Sequence, residues 1–427
     1  MKIFVRPSGS LFYGWWIVGI AALVQFLGGI LWLHAYGAYT VLFHEEFAWS
    51  MTLLSGAFGL TRIESGLLGP IQGWLVDRYG PRRILTIGLT MFGVGFLCLT
   101  QVNSLVSFYV LVFFISVGVS LGGFHTLMVS IVNWFNRHRT KAIAFAQIGF
   151  SLGGLSVPIV AYGLEQQGWR FMSLLSGCIV LLFGIPLAQW IRHRPEEIGV
   201  EVDGSLPGAD RRDRSHVTDT NPSLTWQQAV KMPAFWFISM GHGIALLAVS
   251  AVMVHLIPHL IFGLDFSLTR AGLVFSCVCM FHLAGLLVGG FLGDRFDKRW
   301  ICVACMISHG TAMLSLAYIE YFPPLVVGFS MLHGLAWGIR GPLMVAIRAD
   351  YFGPRSFGRI MGISSIVVMF GMIGGTMLCG VLFDLQGHYR LAFQIIALCT
   401  LAGALCFSLA RKPNARDASL ALGGMRE

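Results

Sequence analysis

Five side chains in this 427-residue sequence are placed where little else could do chemistry. Arg62 and Arg340 fall inside long apolar runs, Glu64 lies two residues from the first of them, and His34 and His282 sit in other such runs. A guanidinium in hydrocarbon costs about 3 kcal/mol even on the lenient insertion scale, so it must face a polar cavity or a partner. Its planar fork matches carboxylate geometry, and two such groups are suited to clamping an anion. Arg62 has Ser55, Gly59, Gly66, Gly69 and Gly73 on its helical face, and Arg340 is flanked by Gly338, Gly341 and Pro342, which leaves room for a cavity or a close helix contact. Glu64 is the one carboxylate near the middle of such a run, which suits it to proton coupling. It points about 200° away from Arg62 on a helix, so the two are not a ready ion pair; a basic partner on a neighbouring helix is the alternative role. A histidine in an apolar run is more often hydrogen-bonded packing than a ligand. His282, near the middle of its run, and His34, with Tyr36 and Tyr39 beside it, are the histidines best placed to meet a substrate or exchange a proton near neutral pH.

The elements that must carry these groups follow from composition. The sequence is 56% hydrophobic and 11% charged, with mean hydropathy +0.74, against about 25% charged in soluble domains. Apolar spans of membrane-crossing length are read near 14–43, 52–76, 84–101, 105–135, 142–163 and 171–191, and again near 234–260, 271–292, 300–319, 324–351, 359–383 and 391–410. This predicts an N-terminal six-helix bundle over 1–191, a linker over 192–232 with a short amphipathic helix at Leu224–Val230, a C-terminal six-helix bundle over 233–410 and a tail over 411–427. The first run is longer than a signal-peptide core, so no cleavable leader is expected.

The net charge of +9 would suit nucleic acid, but the basic residues are scattered in short clusters between spans. Twenty-four of the 29 Lys and Arg fall at the N-terminus, in alternate loops, in the linker or in the tail, counting Arg348 with the loop after span ten. The positive-inside rule then places both termini and the linker in the cytoplasm, and no nucleic-acid partner is expected. All nine cysteines lie in apolar runs, and Cys302-x-x-Cys305 has no second pair to complete a metal site. No Walker phosphate loop, His-Glu-x-x-His or Gly-x-Ser-x-Gly is present. The expectation is a non-enzyme with no metal and no cofactor.

One polar hairpin stands out between spans two and three: Gly73-Trp-Leu-Val-Asp77-Arg78-Tyr-Gly80-Pro-Arg82-Arg83. It recurs 217 residues later, where Gly290, Leu292, Asp294, Arg295 and Arg299 stand for Gly73, Leu75, Asp77, Arg78 and Arg82. Asn133-Trp-Phe and Asp350-Tyr-Phe end spans four and ten at the same offset. Two parallel repeats imply a pathway between halves related by an axis along the membrane normal. Gly80 permits a sharp turn, while Asp297 replaces it in the copy and Trp300 replaces Arg83, so the second hairpin is expected to be the weaker gate.

Gly73-x-Leu-x-Asp77-Arg78-x-Gly80-x-Arg82-Arg83, within this twelve-span frame, resembles the signature of the major facilitator superfamily of secondary transporters. Tyr13-Gly-Trp-Trp, Gly168-Trp-Arg170 and Arg340-Gly-Pro342 with Asp350-Tyr-Phe-Gly353 resemble its bacterial branch related to monocarboxylate porters and the oxalate–formate antiporter. The resemblance implies a cytoplasmic gate at Gly73, Asp77, Arg78, Gly80, Arg82 and Arg83, with Asp294, Arg295 and Arg299 in the copy. It also implies a cavity lined in part by span one. The sequence departs from those relatives where they carry basic groups: span eight offers Cys277, Cys279 and His282, and span eleven has no basic residue after Arg359. The reading is an all-α membrane protein of two pseudo-symmetric six-helix bundles. It is expected to be a monomeric, multi-pass transporter of the bacterial inner membrane that moves a small monocarboxylate-like anion with a proton, through Arg62, Arg340, His282, His34, Tyr36 and Glu64. The alternatives are export of a neutral or cationic compound, and a non-transporting receptor, for which the linker and tail leave no room for a large signalling extension.

Overall fold

The computed structural model describes residues 12–135, 138–200, 202, 224–353 and 357–413. They form helices and, among the described residues, no strand. The first rod is α1 (Tyr13–Gly28), a π-helical turn at Gly29–Leu33, and α2 (Tyr36–Phe47); α3 (Met51–Tyr79) and α4 (Pro81–Leu99) are the second and third. The fourth is α5 (Leu105–Leu121) and α6 (Phe124–Trp134), interrupted at Gly122-Gly123. α7 (Arg139–Leu155) runs into α8 (Val157–Ile179), which turns at Gly168 with φ +75°. That turn separates the fifth rod from the sixth, which ends in a second π-helical turn at Val180–Gly184 and α9 (Ile185–Gln189). The short α10 (Trp226–Lys231) falls on the predicted amphipathic stretch. α11 (Pro233–Leu264), α12 (Leu268–Arg295), α13 (Lys298–Ala317), α14 (Leu325–Phe352), α15 (Phe357–Gln386) and α16 (Arg390–Leu409) complete twelve rods of membrane length.

Nine described stretches are long and apolar enough to cross a bilayer, one of them holding both the fifth and sixth rods. The two rods left out are α3 and α14, the carriers of Arg62, Glu64, Arg340 and Arg348. Those polar side chains lower the hydropathy of both rods. Large apolar side chains such as Val106, Ile159, Leu182, Leu287, Leu385 and Leu398 are exposed all along the rods, as a lipid-facing surface requires and a soluble monomer avoids. Polar side chains also close the helix ends. Ser104 and Thr225 close capping boxes, and Ser267 and Asp297 accept from backbone N–H groups at the starts of α12 and α13.

Contacts divide the chain into two compact units, Met1–Leu42 with Ile63–Val217 and Phe43–Arg62 with Thr218–Glu427. Each unit is held by helix pairs in backbone contact through glycines. In the first, a Cβ on Gly149 of α7 would strike Ala22 O of α1, and one on Gly118 of α5 would lie 2.5 Å from Phe92 N of α4. In the second, a Cβ on Gly371 or Gly375 of α15 would strike the Gly243 or Leu247 carbonyl oxygen of α11. The same seam thus recurs, span five on span one and span eleven on span seven. Without a hydrophobic drive between helices in lipid, such close van der Waals fits hold them together.

The beginning of α3 belongs to the second unit and is fastened there. Asp384 of α15 accepts from Met51 N at 2.9 Å and from Thr52 N at 2.8 Å, placing a carboxylate on the positive end of the helix. Ser55 Oγ meets His255 Nε2 at 3.0 Å, and His255 Nδ1 meets Tyr389 OH at 3.2 Å. Asp384→Ala should lower stability by about 1 kcal/mol, the usual worth of a cap. Asp384→Asn, which keeps one acceptor oxygen, should lose less. Thermal unfolding in detergent checks the order.

Candidate functional site

The polar centre of the second unit grows out of the α12–α14 seam. A Cβ on Gly338 would strike His282 O, and one on Gly285 would lie 2.6 Å from Leu335 O. Backbones this close bring the His282 ring to 4.3 Å, centroid to centroid, from Trp337. Three residues further, near the midpoint of α14, stands Arg340. It is 1% exposed, its Nε and Nη1 have no hydrogen-bond acceptor, and no carboxylate among the described residues pairs with it. The groups within electrostatic reach of its charge include His282, Cys302, Cys305 and Arg348, none of them an acid. A desolvated charge with no partner is the costly arrangement. Its vacant donors match what a carboxylate or similar anion would accept from.

Arg348 corrects one sequence expectation. It was counted among the loop cations that set orientation, yet it is buried inside α14. Its Nη1 donates to Met344 O at 2.7 Å, and its Nη2 donates to Ser364 Oγ at 2.6 Å and meets His242 Nδ1 at 3.2 Å. Helix α14 simply continues past the residue where hydropathy falls. The orientation count loses one residue, and the unit gains a second buried cation held by neutral groups. Sequence reasoning also missed the pairing of His309 on α13 with His333 on α14, whose Nδ1 atoms are 3.2 Å apart. Both were visible as histidines in apolar runs, but the sequence carried no sign that they face each other.

The remaining predicted residues are not gathered around Arg340 within this unit, except His282. Arg62, in the part of α3 that belongs to the second unit, lies over the Phe58 ring at 4.6 Å. Glu64 belongs to the first unit, buried between α3 and α5. Its Oε1 accepts from Gln72 Nε2 at 3.1 Å and its Oε2 from Ser116 Oγ at 2.9 Å, and Gln72 also donates to Ser120 Oγ at 2.8 Å. Each carboxylate oxygen thus accepts from a neutral donor. His34 follows the first π-helical turn, its Nε2 3.2 Å from Phe150 O and its ring 4.2 Å from that of Phe150. Tyr36 is buried edge-on to Trp32.

The sequence model of the Major Facilitator Superfamily matches residues 18–269 and 238–424. The chain belongs to the major facilitator superfamily. Among the sequences similar to it are monocarboxylate transporter 13 of Bos taurus, 23% identical over 92% of this chain and 88% of that protein. The cis,cis-muconate transport protein of Acinetobacter baylyi is 25% identical over 84% of this chain and 92% of that protein. The crystal structure of a D-xylose–proton symporter covers 94% of this chain and 100% of its own, with TM-score 0.69 and 19% identity, a likeness of fold. The protein is a transporter with the twelve-helix major facilitator fold.

In this transporter the two hairpins of the repeat turn by different means. Gly80, with φ +83°, precedes Pro81 at the start of α4; at the equivalent place Asp297, with φ −62°, caps α13 by accepting from Arg299 N at 2.9 Å. The missing glycine is therefore replaced by a cap. Asp77, Arg78, Arg82 and Arg83 are exposed along a cleft of about 450 Å³ shared with Arg192, His193 and Glu197. Arg82 donates from Nε and Nη2 to Gln189 Oε1, at 3.0 and 2.7 Å, tying the hairpin to α9. Arg78 lies near the Trp74 and Tyr79 rings, Arg295 lies 3.8 Å over Phe291, and Arg299 lies 4.9 Å from Trp300. Gly73 lies within α3. Asp294 keeps its place on α12, with its side chain outside the described residues. Residues 201 and 203–223 of the predicted linker and the tail from 414 on also lie outside the described residues.

Proposed function

We propose that this transporter moves a small organic anion of the carboxylate class together with a proton by alternating access, and that Arg340 holds the anion. One observation carries the reading: a guanidinium near the middle of a membrane-length helix, almost fully buried, with two donor nitrogens unsatisfied and no acid beside it among the described residues. A charge this expensive is kept in a membrane protein where it meets a substrate or ion. Two relatives, a monocarboxylate transporter and a muconate transport protein, support the same ligand chemistry. His282 and Trp337 offer a ring wall beside the guanidinium. In this reading Arg62, His34 and Tyr36 contact substrate in their own units, and Glu64 exchanges protons in the first unit. The bundles span 1–191 and 233–410, joined by the linker 192–232 and followed by the tail 411–427. The hairpins at Gly73–Arg83 and Gly290–Arg299 act as the gate and its weaker copy. The protein works as a monomer in the bacterial inner membrane with both termini cytoplasmic.

The test is uptake by proteoliposomes of labelled lactate, benzoate and cis,cis-muconate, with and without an inward proton gradient. Gradient-driven accumulation of at least one, lost in Arg340→Ala, is the expected result. Wild-type accumulation in both Arg340→Ala and Arg62→Ala would sink the anion clamp. Accumulation of none of the three, with movement of a labelled neutral or cationic solute added as a fourth arm, would replace it with the export reading.

A further inference from the structure

We infer that, beside the proton exchange at Glu64 in the first unit, the His309–His333 pair takes up a proton when an anion arrives on Arg340, so that this proton and the anion occupy one neighbourhood of the second unit. The inference rests on the reading of Arg340 as the anion-holding residue.

The geometry of the pair fixes what it can do. Two Nδ1 atoms 3.2 Å apart share one hydrogen, so one ring donates and the other accepts. The neutral donor ring then carries a bare lone pair on its Nε2, and the neutral acceptor ring carries N–H on its own Nε2. Both Nε2 atoms are buried with no hydrogen-bond partner, and both residues are wholly buried. An incoming proton bonds to the bare Nε2. The Nδ1–H···Nδ1 bond is kept, and the pair gains one positive charge. Release returns that proton to water and restores the neutral pair. No side chain has to move. Phe329, stacked on the His333 ring at 5.6 Å, holds one ring in place.

The surroundings decide when the proton can stay. His333 lies two turns before Arg340 on α14 and His309 is bonded to His333, so both feel the charge of Arg340, and His333 feels His282 as well. Cys305 lies one turn before His309 on α13. From α11, His242 lies within reach of the same guanidinium, and His259 bonds to Leu316 O two turns along α13 from His309, at the end where Glu320 pairs with Arg390. From α16, Thr400 faces Gly310. Of these groups Glu320 is the one acid, and it is engaged with Arg390. A second positive charge near Arg340 is therefore opposed while the guanidinium stands alone. An anion on Arg340 cancels that opposition, and a proton on the pair in turn strengthens the hold on the anion. Such coupling is reciprocal by thermodynamic necessity. It makes loading both together, or neither, the favoured states, which is what a symporter requires.

Proton uptake on binding is measurable directly. The full-length protein in detergent is titrated with benzoate and with cis,cis-muconate by calorimetry at one pH in two buffers of different ionisation enthalpy. The difference in heat counts protons taken up. Wild type should take up protons with the anion. His309→Gln and His333→Gln should bind the same anion with heats that no longer depend on the buffer, and their uptake in proteoliposomes should lose its severalfold stimulation by an inward proton gradient. Where a glutamine variant does not fold, the double variant His309→Phe/His333→Phe, which keeps two rings in contact, carries the same expectation. Undiminished proton uptake in these variants, or loss of it only in Glu64→Gln, overturns the inference and leaves the anion reading standing. Binding of neither probe to wild type, with transport untouched in Arg340→Gln, overturns the anion reading and this inference with it.

Discussion

Replacing Arg340 with methionine should raise the apparent melting temperature of the protein while abolishing uptake. The two effects together separate a ligand-holding arginine from a structural one. Were Arg340 half of an internal ion pair, its removal would leave a buried carboxylate uncompensated, a loss of about 3–5 kcal/mol. No acid among the described residues pairs with it, and Nε and Nη1 make no hydrogen bond. The methionine variant then only relieves a desolvated charge and fills similar volume with apolar atoms, so the expected gain is about 1 kcal/mol or more. Transport should fall by at least about thirtyfold, since truncating one side of a buried charge contact costs about 2–5 kcal/mol and about 1.4 kcal/mol is tenfold in affinity. Arg340→Lys keeps the charge and loses the fork, so it should keep the wild-type melting temperature with weakened uptake. A lower melting temperature in Arg340→Met would point instead to a structural partner. Fluorescence-monitored unfolding in detergent, paired with proteoliposome uptake, gives both readings from one preparation.

The second large effect is expected at a residue with no chemistry. Gly338→Ala puts a methyl group into His282 O and the Gly285 Cα, the latter 2.8 Å from the new Cβ. Both obstacles are helix backbone and cannot turn aside like the end of a side chain. The helices must separate, so the loss should reach about 3 kcal/mol, the upper end for overpacking, and the shift carries His282, Trp337 and Arg340 out of register together. Gly362→Ala is the control. It lies in a helix of the same unit, is exposed, and has nothing within 4 Å of the added Cβ. It should be neutral or gain up to about 1 kcal/mol from helix propensity. Equal effects at the two positions would remove the seam as the device that positions the site.

Much of this was legible in the sequence, because hydrophobic length and the hairpin repeat both report on the bilayer and are read locally. The twelve rods follow from that, and so does the placement of the Arg340 charge inside an apolar run, although the sequence left open whether an acid such as Glu64 pairs with it. What stayed hidden depends on rotation about a helix axis or on distant pairing. Arg348 looked like a loop cation because hydropathy falls before α14 ends. The π-helical turn at Gly29–Leu33 inserts extra chain into the first rod, so helical-wheel reasoning fails just before His34 and Tyr36. His309 and His333 belong to different helices, and nothing in either run says which faces meet. The interruption of the fourth rod at Gly122-Gly123 was passed over because the apolar run continues through it.

The fastening of α3 to Asp384 sets an order of assembly. The two N–H groups it satisfies lie 333 and 332 residues earlier in the chain. At roughly 5–20 residues per second of synthesis, the start of α3 waits roughly 20–60 seconds for its acceptor. Ser55 likewise waits for His255, 200 residues on. The second rod is made early and completed late. A nascent chain cut short before residue 384 leaves those two donors without their acceptor, whatever the state of the helices around them.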